Sequence, residues 1–224
     1  MTKHLRWTPP RWKVPNARLK NLLATAAPSS PSLALSGANN VKQLPAWIKR
    51  ARSQWTNRGV ERPSFATPPK PGQESVWDYP RPPRLQADCR NVLVTFNDFT
   101  VAETTAAMRV LETASPPTFY IPRQDVCQEV LMPSSATSFC EWKGQARYWH
   151  VQHRDQTLKH AGWGYDDPFP EFEPISGYLA FYADTLQCFV DGIRVMPQPG
   201  NLYGGWVTPE IVGPFKGTPG TEGW

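Results

Sequence analysis

In the stretch "CEWKG", Cys140 and Lys143 lie three residues apart. An ammonium close to a thiol lowers the thiol's pKa and favours the nucleophilic thiolate. The two residues are therefore candidates for covalent chemistry, with a buried cysteine beside a structural lysine as the alternative. A related stretch recurs near the end of the chain. "QDVCQEVL…CEWKG" and "TPEIVGPFKG" each give an acid, an apolar pair and then aromatic-Lys-Gly. This echo marks either chance or a repeated hairpin, and it makes Lys143 and Lys216 a candidate cationic pair for an anion or phosphate. Glu112, Tyr120 and Asp125 fall within "VLETASPPTFYIPRQDV". A carboxylate beside a phenol can do acid–base work where burial raises its pKa. The competing role is to accept backbone hydrogen bonds that order a Pro-rich turn. Cys140, Lys143 and Glu112 are thus the candidate catalytic residues, and Tyr120, Asp125 and Lys216 are candidate ligand contacts.

Aromatic residues next to glycine and proline supply the other candidates. Trp163 and Tyr165 of "GWGYDDP", with Tyr148 of "ARYWHVQH" and Trp206 of "YGGW", would suit a cage for a flat or cationic ligand. Such residues also fill cores. His150, His153 and His160 do not read as a metal site, because on a strand an odd separation puts His150 and His153 on opposite faces. Cys89, Cys127, Cys140 and Cys188 contain no C-x-x-C pair. We expect no metal, no cofactor and reduced thiols.

The elements that must position these residues are mostly strands. "NVLVTF-ND-FTVAE" reads as strand–turn–strand, and "PPTFYIP", "ARYWHVQH" and "YLAFYAD" read as strands. "TAAMRVLET" fits a helix or a strand. In "LQCFVDGIRVMP", Asp191–Gly192 is the turn pair of a two-residue hairpin. "RQDVCQEVL" allows one helical turn. Short strands with close turns predict an all-β sandwich or an open barrel.

Composition divides the 224 residues in two. Residues 1–70 carry thirteen Lys/Arg and a single acid, Glu61, whereas 71–224 carry eleven bases and eighteen acids. The net charge of +5 averages two unlike segments. Residues 1–70 include the low-complexity "TAAPSSPSLALSGANN" and read as a disordered basic arm. Within it, "LPAWIKRARSQW" can form a short amphipathic helix. The arm suits a transit peptide, contact with nucleic acid or an anionic membrane surface, or a plain solvated tail. No secretory signal or span of about 18 apolar residues is visible, so a soluble, cytoplasmic protein is expected, with a plastid or other organelle as the alternative. The tail "NLYGGWVTPEIVGPFKGTPGTEGW" is rich in glycine and aromatics. It reads as a wrap that closes one end of a sheet or as the rim of a pocket.

Taken in order, "SVWDYPRPP", "RVLETASPPTFYIPRQDV", "SFCEWKGQARYW", "GWGYDDPFP", "GYLAFYAD", "VDGIRVMPQPG" and "YGGWVTPEIVGPFKGTPGTEGW" resemble the domain of unknown function 427 family, in its longer, cyanobacterial-type form. The resemblance covers most of 71–224 and nothing before Pro71. It implies a single β-rich domain with few short helical turns, of β-tent or sandwich-like type. Several β-tent proteins bind zinc through two Cys pairs that this chain lacks. Nucleotidyl transfer, a label sometimes attached to the family, is not supported. Asp166 and Asp167 are adjacent and would diverge on a strand, and no G-x-x-x-x-G-K-[ST] occurs. The expected function is small-molecule binding, with possible enzymatic use of Cys140 and Lys143. The alternative is a non-enzymatic interaction module that offers its aromatic tail or basic arm.

Overall fold

The computed structural model describes residues 44–200 and 202–224. The expectations for residues 1–43 lie outside the described residues. The fold is mainly β, with few short helices.

Helix α1 (Ala46–Ser53) follows Pro45, whose fixed φ suits a helix entry. Its apolar stripe is narrow: Ile48 is buried, while Trp47 is 56% exposed. Arg52 anchors it, with Nε donating to the Glu141 carbonyl at 2.7 Å and Nη2 to that of Trp142 at 3.3 Å. Further on, the Thr67 amide donates to the Gly213 carbonyl at 2.9 Å. The boundary expected at 70/71 is therefore corrected: the chain joins the folded unit from its first described residues. The basic charge here does not mark a solvated arm, because Arg52 uses it on two backbone carbonyls and on Glu171, at 3.4 Å.

After β1 (Glu74–Ser75) come β2 (Arg84–Asp88), β3 (Val92–Phe96), β4 (Phe99–Thr104), β5 (Ala107–Glu112) and β6 (Ser115–Tyr120). The residues of β5, open to helix or strand by sequence, are a central strand, paired antiparallel with both β2 and β6. Pairing on two sides overrides a helical propensity that is weak over so short a run. Two 3-10 turns, Arg123–Asp125 and Gln128–Val130, stand where one helical turn was expected. A meander of long strands follows: β7 (Leu131–Cys140), β8 (Gly144–His153) and β9 (Gln156–Gly164). The remaining strands are β10 (Leu179–Phe181), β11 (Gln187–Val190), β12 (Ile193–Arg194), β13 (Met196–Pro197), β14 (Trp206–Val207) and β15 (Ile211–Val212).

Two four-stranded sheets, β10-β9-β8-β7 and β12-β11-β3-β4, and one three-stranded sheet, β2-β5-β6, make up the body. The Asp191–Gly192 hairpin forms as expected, with Val190 opposite Ile193 and φ values of 48° and 75° at the two turn residues. The largest core cluster draws Val94, Val101, Phe119, Val151, Phe181 and Cys188 from these sheets and Trp206 from β14, which pairs with β13. The tail is part of the fold. β15 pairs in parallel with β1, and Trp224 stacks on Phe65 and meets Trp77 edge-on, at centroid separations of 5.1 and 5.3 Å.

Candidate functional site

"CEWKG" folds as a hairpin tip. Cys140 pairs with Gly144 across β7 and β8, leaving Glu141, Trp142 and Lys143 as a three-residue loop. Gly144 adopts φ 99°, a left-handed conformation that such a loop needs at its closing position. The loop cannot swing freely, because the Phe169 amide donates to the Lys143 carbonyl and Arg52 holds the carbonyls of Glu141 and Trp142.

This tip borders a cavity of about 360 Å³. Strand alternation supplies much of its wall, since residues two apart share a face. Thr118 and Tyr120 come from β6, Val110 and Glu112 from β5, and Trp163 with Tyr165 from the end of β9. Tyr148 of β8 and Tyr182, just beyond β10, join them. The tail closes the other side with Gln198, Leu202, Tyr203, Gly204 and Lys216, and Trp55 reaches in from beyond α1. Gly204 is required by close approach: a Cβ there would collide with the Trp163 ring.

Eight of the ten expected site residues line this cavity: Glu112, Tyr120, Cys140, Lys143, Tyr148, Trp163, Tyr165 and Lys216. The other two stand elsewhere. Asp125 accepts a 2.6 Å hydrogen bond from the Thr104 hydroxyl and so ties a 3-10 turn to β4. Trp206 is wholly buried in the core, stacked on Phe119 at 5.0 Å, and its Nε1 donates to the Phe181 carbonyl at 2.9 Å. The sequence analysis missed Trp55, which carried helical spacing but lay in the presumed arm. It also missed Tyr182 and Tyr203, although both stand in quoted aromatic stretches.

The two lysines of the echoed motif reach the same cavity in different settings. The repeated-hairpin reading does not hold, because Lys216 sits in an isolated bridge to Thr218 rather than at a hairpin tip. Its Nζ lies 3.8 Å from the centre of the Trp55 ring and 5.3 Å from that of Tyr203, and it donates to the Trp224 backbone oxygen at 3.4 Å. Burial and the nearby Arg81 depress its pKa. Lys143 is also buried, with the Tyr165 and Phe172 ring centres each 5.8 Å from Nζ. Among the described residues no carboxylate lies within 4.0 Å of it. Burial opposes its charge, but Cys140, Tyr120 and Glu112 outweigh that effect and raise its pKa. Lys143 is therefore an ammonium at neutral pH and not a free amine. Burial also pushes the phenols of Tyr120, Tyr165 and Tyr182 up, so they remain hydroxyl donors.

Arg81 holds the parts together. Its side chain is fully buried, and Nε donates to Glu112 at 3.1 Å. The other guanidinium nitrogens donate to the carbonyls of Asn57 at 3.2 Å and Thr113 at 2.8 Å and to the Trp224 backbone oxygen at 3.1 Å. Its Cζ lies 4.3 Å from the Trp55 ring centre. Glu112 is thus engaged as the ion-pair partner of Arg81. Cys140 is partly buried, and all four cysteines are unbridged. Among the described residues no group of three or more His, Cys, Asp or Glu is arranged to hold a metal ion. His150 and His160 lie 4.9 Å apart by ring centres, while His153 stacks on Phe99. No described helix is long and apolar enough to cross a membrane.

A family model described as a domain of unknown function, DUF427, matches residues 84–195, half of the chain. No curated protein matches it. Trp55, Arg81, Lys216 and the tail wall of the cavity lie outside the matched stretch.

Proposed function

The chain belongs to the DUF427 family, and we propose that its aromatic cavity is the binding site of a small molecule. One observation carries this reading. Polar side chains from separate elements, Lys143, Tyr120, Tyr148 and Tyr182 among them, converge on one concave space walled by aromatic rings. Ligand pockets commonly measure about 300–1,000 Å³ and combine apolar walls with a few placed polar groups. Lys143 is the anchoring charge. Cys140, on the same hairpin, is the residue by which such a site would act as an enzyme. The unbridged cysteines support a reducing, cytoplasmic setting.

A thermal-shift screen of the full chain against a metabolite library tests the reading. At least one compound should raise the melting temperature of the wild type and lose most of that effect in Tyr148→Ala or Lys143→Met. Hits that stabilise all three proteins equally would place the ligand elsewhere.

A second reading rests on the exposed aromatic pair Trp47 and Phe139, whose ring centres are 4.8 Å apart, close to Leu202 of the cavity lining. In that reading this apolar rim docks another macromolecule. Trp47→Ser would then weaken partner capture without changing the small-molecule response.

A further inference from the structure

We propose that the cavity selects an oxyanion with an aromatic body, and that the anion is held at Lys143 alone and not by the Lys143–Lys216 pair. The proposal rests on reading the cavity as a small-molecule site and names the class of molecule it takes.

The first argument is the balance of donors and acceptors. Both carboxylates of the lining are already engaged: Glu112 accepts from Arg81 at 3.1 Å, and Glu141 accepts from Trp55 Nε1 at 2.9 Å. Donors remain in excess. Among the described residues the Lys143 ammonium has no carboxylate within 4.0 Å, and the phenols of Tyr120, Tyr148 and Tyr182 line the same space. A buried donor left unpaired costs about 1–3 kcal/mol, more when charged. A ligand rich in acceptor oxygens would pair with the Lys143 ammonium and the phenol hydroxyls. A ligand bringing further donors would add to that cost.

The second argument separates the lysines. Lys216 is held over the Trp55 ring and donates to the Trp224 backbone oxygen, and the nearby Arg81 already places a second cation there, so its ammonium is occupied by the protein itself. Lys143 is set among phenols and rings and lacks a counter-ion of its own among the described residues. The third argument is the wall. Trp55, Tyr148, Tyr182 and Tyr203 are only half-buried and present ring surface to whatever fills the space. An aromatic body gains from such contacts.

The test uses one ring with four head groups: 2-naphthoate, 2-naphthyl phosphate, neutral 2-naphthamide and cationic 2-naphthylmethylammonium. Each is titrated by calorimetry into the full wild-type chain and into Lys143→Met, Lys143→Arg and Lys216→Met. At least one anion should bind about tenfold or more tighter than the amide. Lys143→Met should erase that preference by bringing anion binding down to the level of the amide, and Lys143→Arg should keep most of it. Lys216→Met should also keep it, which distinguishes one anchoring cation from two. The naphthoate and naphthyl phosphate arms distinguish a carboxylate head from a phosphate head. Equal binding of anion and amide, tighter binding of the ammonium, or a preference that survives Lys143→Met overturns the proposal. If the library yields a neutral or cationic ligand displaced by Tyr148→Ala, the cavity reading stands and this inference falls. If neither the naphthyl series nor the library binds, both fall.

Discussion

Replacing Trp206 by alanine should destabilise the protein severely without acting on the cavity directly. Trp206 is wholly buried, stacks on Phe119 and donates from Nε1 to the Phe181 carbonyl. Removing a core Trp costs about 3–5 kcal/mol, and the orphaned carbonyl of Phe181 holds the effect toward the upper end of that range. Domains of this kind have about 5–15 kcal/mol in hand, so the variant should fold but with a large loss. With a urea slope of about 2 kcal/mol per molar, the midpoint should fall by roughly 1.5–2.5 M. The matched control is Tyr148→Ala. Tyr148 is half-buried, lines the cavity and bonds to Ser138 Oγ at 2.8 Å. Its loss should cost much less stability and most of the ligand response. A midpoint shift below about 0.3 M for Trp206→Ala, or a Trp206→Phe variant that keeps stability yet loses ligand response, would refute the assignment of Trp206 to the core.

A chain beginning at Pro71 should melt below one beginning at Leu44. The shorter chain loses buried Ile48 and the Arg52 hydrogen bonds, worth at least about 2 kcal/mol, or roughly 4–8 °C, by calorimetry. Gly204→Ala should disturb the Trp163 ring, which shows as a changed tryptophan emission and a weakened ligand response. Acid should destabilise through Asp88 and Glu210. Burial favours protonation of both, but hydrogen bonds, to Arg90 above all for Asp88 and to Thr208 and Arg90 for Glu210, outweigh it and depress their pKa values. Their contribution is therefore complete above about pH 5 and disappears as the pH falls through the depressed values, and Arg90→Met should flatten that dependence in urea titrations. Elemental analysis after chelator treatment should find no stoichiometric zinc. One zinc per chain whose removal unfolds the protein would contradict the dispersed placement of the described Cys and His residues.

Local rules made much of the strand pattern legible. Alternation marked β3, bracketing prolines marked β6, short aromatic-rich runs marked β8 and β10, and the positive φ demanded by Asp191–Gly192 marked one hairpin. Their setting beside Gly and Pro singled out Trp163 and Tyr165, and both border the cavity. What composition hid was the fate of polar charge. Arg52 and Arg81 read as ordinary basic residues, yet their partners are backbone carbonyls and two carboxylates distant in sequence, Glu171 and Glu112. Such partners carry no sequence periodicity. For the same reason Trp55 was assigned to an arm, and Trp206 could not be told from Trp163. Both Trp residues follow a glycine, but one faces the sheet interior and the other borders the cavity.

The echoed aromatic-Lys-Gly motif shows how identical local chemistry acquires different roles. At Trp142–Lys143–Gly144 a hairpin fixes the lysine among phenols, with its charge uncompensated by any carboxylate in range. At Phe215–Lys216–Gly217 the lysine meets the Trp55 ring and a backbone oxygen, and the neighbouring guanidinium of Arg81 depresses its pKa. Lys143 lies inside the matched stretch and Lys216 outside it. The matched stretch thus brings the open charge, while the flanking segments, tied by Arg81 to Asn57, Glu112 and Trp224, bring the wall that shapes what that charge can meet. Changes in Trp55 or Tyr203 should alter which aromatic body fits. Changes in Lys143 should alter whether an anion is held at all.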